Sequence, residues 1–214
     1  MPVLPSPLYV VCDADVCAGA GWALPDFASA CLDGGARFLQ LRAKGLSGRD
    51  FLAAAEALVR LAEPVGATVV INDRADIAAM AGAHGVHVGQ EDLHPSAVRR
   101  LTGPSAIVGL STHSDEQLRA ALAEPISYVA TGPVFGTATK DTGYEPHGLD
   151  GVRNAAPTAH ARGVPLVAIG GITLTRARAV VDAGAQALAV ISDLLSTGDP
   201  AARVRQYLAA LVQA

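Results

Sequence analysis

Charge is scarce in this chain. Only 17% of its residues are charged and half are apolar, a balance that excludes a disordered polypeptide. Long apolar runs are missing too: none reaches the ~18 residues of a membrane span, so no membrane partner is expected. The opening MPVLPSP has neither a basic region nor a long apolar stretch. No signal peptide is therefore expected, and the expected location is cytoplasmic. Basic residues are in deficit, 16 Lys and Arg against 20 Asp and Glu for a net charge of −4. That argues against a nucleic-acid partner while leaving room for a local basic pocket. Cysteines are few: Cys12, Cys17 and Cys31. Their number is odd, their spacing fits no zinc site, and the chain is too long for a disulfide scaffold, so they read as small buried residues. No linker or low-complexity segment interrupts the 214 residues, a length suited to one domain.

What is present is an alternation. Short β-branched runs at 8–12, 38–41, 68–71, 85–88, 107–110, 128–131, 166–169 and 188–191 read as strands. Most are continuously apolar, as parallel strands covered on both faces must be. Between them, 25–32, 48–61, 76–80, 95–101, 115–123, 149–160, 174–183 and 201–212 read as helices. Ser114 and Gln117 have the spacing of a capping box. Three Gly-Ala segments, at 33–36, 81–84 and 183–186, precede strands two, four and eight and read as helix ends feeding the next strand. Eight strands alternating with eight helices predict a (β/α)8 TIM barrel over 8–214, with 1–7 as a Pro-rich tail. The alternative is a doubly wound open sheet. Against it, Cys12-Asp13-Ala14-Asp15 stands where a Gly-x-Gly-x-x-Gly turn would follow the first strand.

Such barrels do their chemistry at the C-terminal ends of the strands, and this sequence loads those ends. Strand two runs into Gln40-Leu41-Arg42-Ala43-Lys44, strand three into Asn72-Asp73, and strand four into Gly89-Gln90-Glu91-Asp92. Strand five ends in Ser111-Thr112-His113, and strand six leads to Thr137-Ala138-Thr139-Lys140. Arg42, Lys44 and Lys140, with Asn72 as a neutral donor, suit a diphosphate. The plainer reading makes Arg42 and Lys44 solvated loop charges. Asp73 and Asp92 suit Mg²⁺, which takes one or two carboxylates together with phosphate oxygens; alternatively these acids pair with the neighbouring bases as salt bridges. His87, inside strand four, reads as packed in the barrel wall. Gly170-Gly171 and Ile191-Ser192 form a candidate monophosphate seat, or a tight turn only. The 132–148 segment is the one large insertion, as expected of a functional loop. If it is extended around Ala138, the hydroxyls of Thr137 and Thr139 share one side.

Taken in order, these motifs resemble the thiamine phosphate synthase family over nearly the whole chain. The resemblance rests on Gln40-Leu41-Arg42-x-Lys44, Asn72-Asp73, Gly85-Val86-His87-Val88-Gly89-Gln90-x-Asp92, Gly132-Pro133 with Thr137-x-Thr139-Lys140, Ile169-Gly170-Gly171-Ile172 and Ile191-Ser192. It implies a transferase that joins a hydroxymethylpyrimidine diphosphate to a thiazole phosphate and releases diphosphate. Gln40, Leu41, Arg42, Ala43, Lys44, Asn72, Ser111 and Lys140 are then implied to hold the pyrimidine diphosphate. Within that set Arg42, Lys44, Ser111 and Lys140 are implied to be catalytic. Asp73 and Asp92 are implied Mg²⁺ ligands. Thr137, Ala138, Thr139, Gly171, Ile191 and Ser192 are implied to hold the thiazole phosphate. Ala43 departs from the family pattern, in which an acidic residue is frequent, and 12–21 matches loosely. Two rival functions use the same scaffold: a thiazole tautomerase, with His113 as a candidate acid/base, and a non-catalytic sensor of phosphorylated ligands. The sequence is compatible with a homo-oligomer.

Overall fold

The computed structural model describes residues 3–137 and 143–212. The chain runs β1 (Leu8–Asp13), α1 (Ala14–Gly19), α2 (Leu24–Asp33), β2 (Phe38–Arg42), α3 (Gly48–Ala62), β3 (Thr68–Asn72), α4 (Ala75–Ala81) and β4 (Gly85–Val88). It continues with α5 (Pro95–Thr102), β5 (Ile107–Thr112), α6 (Asp115–Ala121), β6 (Tyr128–Thr131), α7 (Gly148–Ala161), β7 (Leu166–Ile169), α8 (Leu174–Asp182), β8 (Ala187–Val190) and α9 (Pro200–Val212). Two 3-10 turns, Glu63–Val65 and Ser192–Leu195, follow α3 and β8. All neighbouring strands pair in parallel, and β8 closes on β1 through Leu8–Leu188 and Val10–Val190. The expected eight-stranded barrel is therefore the observed one.

Strand alternation sorts the apolar residues into two cores. Val10, Leu39, Ile71, Val86, Val108, Val129 and Leu188 face the helix layer. Tyr9, Val11, Phe38, Val70, Tyr128, Ala130, Val167, Ala187 and Ala189 fill the barrel. Three of the chain's nine aromatic residues thus lie inside it. Tyr9 stacks on Phe38 with centroids 3.7 Å apart, and Tyr128 meets Tyr9 edge-on at 5.8 Å. The neighbouring strand supplies the room. A Cβ on Gly109 would lie 2.1 Å from Tyr128 Cζ, so β5 carries glycine where the ring passes.

Several local details depart from the sequence reading. Helix α1 was not expected: its six residues are too few to show an apolar period. It exists because the Asp13 carboxylate accepts from Asp15 N at 3.1 Å and Val16 N at 3.0 Å. Nine α-helices, not eight, therefore stand among the described residues. The Ser114 hydroxyl caps α6 by accepting from Gln117 N, but Gln117 Oε1 returns to His113 N, one residue before the cap. The Gly-Ala segments end helices as expected and do something further. In two of the three, the last side chain ties the start of a neighbouring strand: His84 Nδ1 accepts from Val69 N, and Gln186 Oε1 accepts from Leu166 N. Residues of the expected tail are attached to the barrel: Leu4 packs on the interior core and Pro7 O accepts from Leu188 N. The cysteines are buried and unbridged, and burial pushes the Cys17 thiol up to about 12. None of the described helices is long and apolar enough to cross a membrane.

Replacing Gly109 by alanine should expel the Tyr128 ring and cost about 1–3 kcal/mol, as overpacking does. Thermal unfolding checks this; an unchanged melting temperature would contradict the packing.

Candidate active site

The charged half of the barrel mouth lies at the ends of β1 to β4. Asp13 and Arg42 are opposed in the parallel register and form an ion pair, with Asp13 buried and Arg42 nearly so. One carboxylate oxygen of Asp13 caps α1 while the other takes the guanidinium. Lys44 Nζ lies 3.2 Å from Asp73 Oδ2. Asp73 itself has φ of +64°, a left-handed conformation in which its N–H still reaches His87 O at 2.8 Å. Its carboxyl interacts with that of Asp92. Burial raises the Asp73 pKa above the ordinary carboxylate range; the hydrogen bond to Asp92 and its negative charge push the same way, against Lys44. Asp92 Oδ2 is held by Gly89 N at 2.8 Å. Asn72 is buried on the inward face of β3, beyond Val70. Both basic residues at this rim are ion-paired, so neither Arg42 nor Lys44 is merely a solvated loop charge.

The other half is a cavity of about 610 Å³ at the ends of β5 to β8. Ser111, His113, Thr137, Gly171, Ile191 and Ser192 are among its lining residues. The loops after β6 and β7 press together: Phe135 N donates to Gly170 O at 3.0 Å, and a Cβ on Gly171 would lie 2.5 Å from Gly136 O. That contact, rather than a tight turn alone, demands the glycine. Beside it Arg176 donates to Gly171 O at 2.9 Å and lies 4.5 Å over the Phe135 ring. The 3-10 turn that begins at Ser192 is pinned from behind. Asp193 accepts from Arg203 through both oxygens at 3.0 Å, and from Tyr207 Oη at 2.6 Å and Leu174 N at 3.1 Å. At the far wall His113 bonds Gly132 O and stacks on Tyr144, centroids 4.3 Å apart, while Gln117 Nε2 holds the Tyr144 hydroxyl.

Between the two halves a line of polar groups crosses the barrel. Gln40 Nε2 donates to Tyr9 Oη at 2.9 Å, and Tyr9 Oη is 2.9 Å from Tyr128 Oη. His87 Nδ1 is 2.8 Å from Tyr128 Oη, and His87 Nε2 is 2.8 Å from Ser111 Oγ. His87 is therefore buried as expected, yet it faces the interior and carries a hydrogen bond on each ring nitrogen.

The structure brings together Arg42, Lys44, Asn72, Asp73 and Asp92 at one rim, and Ser111, Thr137, Gly171, Ile191 and Ser192 at the adjoining cavity. The side chains of Leu41 and Ala43 do not face the barrel interior. They pack into the helix-facing core, so any part they take in binding is through the main chain. Ala138, Thr139 and Lys140 lie outside the described residues. Sequence reasoning missed Asp13, Arg176, Asp193 and the Tyr9–Tyr128 pair. Only Asp13 left a readable signal, an acid ending strand one opposite the arginine that ends strand two. Asp13→Asn keeps an acceptor for the α1 cap and loses the ion pair. It should cost about 1–3 kcal/mol in urea unfolding, and Asp13→Ala more; equal stability of all three proteins would contradict the paired role.

Residues 8–194 match the family described as thiamine monophosphate synthase. The thiamine-phosphate synthase of Albidiferax ferrireducens is 44% identical over 207 residues, which cover 95% of this chain and 92% of that relative. That of Koribacter versatilis is 45% identical over 204 residues, covering 94% of this chain and 93% of the relative. Among solved structures, a thiamine phosphate pyrophosphorylase from Pyrococcus furiosus aligns with a TM-score of 0.85 at 28% identity, over 95% of this chain and 94% of that one. A barrel with a charged rim beside a cavity, and this likeness along almost its full length, place the chain in the thiamine monophosphate synthase family.

Proposed function

We propose that this chain is a transferase that joins a hydroxymethylpyrimidine diphosphate to a thiazole phosphate, giving thiamine phosphate and diphosphate. The observation that carries the reading is the Asp73–Asp92 carboxylate pair with Lys44 and Arg42 at the same rim. A tautomerase acting on the thiazole phosphate alone has no use for such a diphosphate clamp, nor has a sensor of one phosphate.

Arg42 gives one N–H edge to Asp13 and keeps further donors for the diphosphate. Lys44, and Lys140 from the loop after β6, add charge against the negative charge that develops as the C–O bond breaks and its electron pair leaves with diphosphate. The aminopyrimidine ring delocalises the positive charge left on the methylene. The thiazole nitrogen then forms the C–N bond with its lone pair. It has no proton to lose, so no side chain need act as base. Gly171, Ile191, Ser192 and Thr137 on the cavity wall hold the thiazole phosphate, and Arg176 supplies a cation there; Ala138 and Thr139 are assigned to the same phosphate by the family resemblance alone. Closeness of two oriented substrates does the rest.

Mg²⁺ fits the rim. Asp73 and Asp92 are two interacting carboxylates, the number that this cation takes together with phosphate oxygens and waters. Asp73 and Asp92 would hold it, and when bound it supplies positive charge to the leaving diphosphate. The reading places the reaction in the cytoplasm, which three buried unbridged thiols support. It is compatible with a homo-oligomer, for which exposed Met80 and Leu101 on the neighbouring helices α4 and α5 offer apolar surface.

Incubation with both substrates and Mg²⁺ should yield thiamine phosphate and one diphosphate per product; tautomer conversion, or binding without turnover, would overturn the reading. The raised Asp73 pKa also sets a sign. The folded state binds that proton more tightly than the unfolded chain, so its contribution to stability is full at low pH and is lost as pH rises through the folded value. Ionising Asp73 beside Asp92 is thus a cost to the folded state. Asp92→Asn should therefore raise the melting temperature of the metal-free protein at neutral pH, abolish any Mg²⁺-dependent rise, and lower turnover, as should Lys140→Ala. An Asp92 variant with full turnover and an undiminished Mg²⁺ shift contradicts the ligand assignment. Ser192→Ala should raise KM for thiazole phosphate severalfold, by the loss of one hydrogen bond; an unchanged KM would remove Ser192 from the phosphate seat.

A further inference from the structure

The line Gln40–Tyr9–Tyr128–His87–Ser111 has a direction. An amide nitrogen only donates, so Gln40 Nε2 makes the Tyr9 oxygen an acceptor. The Tyr9 proton then goes to Tyr128 Oη, 2.9 Å away. The proton of Tyr128 goes on to His87 Nδ1 at 2.8 Å. A neutral imidazole that accepts at Nδ1 carries its proton on Nε2. That N–H meets Ser111 Oγ at 2.8 Å and occupies the oxygen as an acceptor. The hydroxyl proton of Ser111 is left to point at the cavity that Ser111 lines. Burial raises both phenols above their ordinary pKa, so each tyrosine keeps the one proton it passes along the line. Phe38, Val70, Ala130 and Val167 pack around these groups in the interior core.

We propose that His87 is a positioning residue, which holds the Ser111 hydroxyl as a hydrogen-bond donor toward an acceptor atom of the pyrimidine diphosphate. The choice of that substrate rests on the function proposed above; the proton arrangement does not. In the opposite arrangement Nδ1–H would donate to Tyr128, Ser111 would spend its proton on Nε2, and the serine would face the substrate with lone pairs against lone pairs. The tautomer of a buried ring thus decides the sign of a contact in the active site.

Nitrogen-15 NMR of the histidine-labelled full chain tests the arrangement directly. His87 is assigned by its loss in His87→Gln, and the wild-type ring should show a protonated Nε2 and an unprotonated Nδ1. In Tyr128→Phe, which keeps the ring and removes the hydroxyl, that tautomer should lose its preference. The same variant should raise KM for the pyrimidine diphosphate about tenfold, the loss of one hydrogen bond, and leave KM for thiazole phosphate unchanged. In a Ser111→Ala background Tyr128→Phe should add no further rise, because the contact it orients is gone. His87→Gln, whose amide can reproduce the Nε2 donor, should retain more activity than His87→Asn, which reproduces only the Nδ1 side. A protonated Nδ1 in the wild type, additive losses in the double variant, or equal activity of the glutamine and asparagine variants would overturn the proposal. A wild-type protein that makes no thiamine phosphate yet shows the Nε2–H tautomer would defeat the functional reading and leave the proton arrangement standing.

Discussion

Two interacting carboxylates are the constraint around which this active site is built. Asp73 and Asp92 come from the ends of adjacent strands and would repel once ionised, and burial makes the repulsion worse. Part of the answer is local: Lys44 pairs with Asp73, and the Gly89 N–H donates to Asp92. What remains is an excess of negative charge at the mouth of a barrel, beside an arginine already oriented by Asp13. On the proposed function, such a rim would gain from a divalent cation and a diphosphate arriving together, since each offsets the other's charge. The fold makes this possible because parallel strands deliver Asp13, Arg42, Asp73 and the loop bearing Asp92 to the same end.

The second half of the mouth follows a different logic. There the walls are mostly apolar, and polarity is confined to a few fixed groups such as Ser192, Thr137 and Arg176. Fixing them costs structure elsewhere: the turn that carries Ser192 is tied to α9 through the Asp193, Arg203 and Tyr207 cluster, and the glycines after β7 allow two loops to touch. Ser111 belongs to both halves, since it lines the cavity and ends the polar line that begins at Gln40. A charged rim and a drier cavity sharing one wall suit two phosphorylated substrates that must meet with their reacting atoms together.

Much of this was legible in residues alone. Mostly apolar runs placed all eight strands, because a strand covered on both faces has little polar phase to obscure it. The ends were displaced by a residue or two where polar inward residues such as Asp13, Arg42 and Asn72 extend a strand beyond its apolar run. Helix α1 was invisible because six residues carry no period, and its only signal is the capping aspartate. Pairings across the barrel were the least readable. Tyr9 and Tyr128 meet from strands 119 residues apart, and His87 reaches Tyr128 over 41. Nothing in the local pattern of β1, β4 or β6 announces that their inward side chains share a proton line. The side-chain directions of Leu41 and Ala43 were lost for the complementary reason: a motif marks a segment, while strand alternation decides which of its residues face inward.

A crystal structure of the full chain grown with Mg²⁺, inorganic diphosphate and thiazole phosphate puts the division of the mouth to its most direct test. The account predicts a metal held by Asp73 and Asp92 with diphosphate on Arg42 and Lys44, and the thiazole phosphate in the β5–β8 cavity with its phosphoryl group near Gly171 and Ser192. Diphosphate bound in the cavity, or a metal held away from both aspartates, would contradict it.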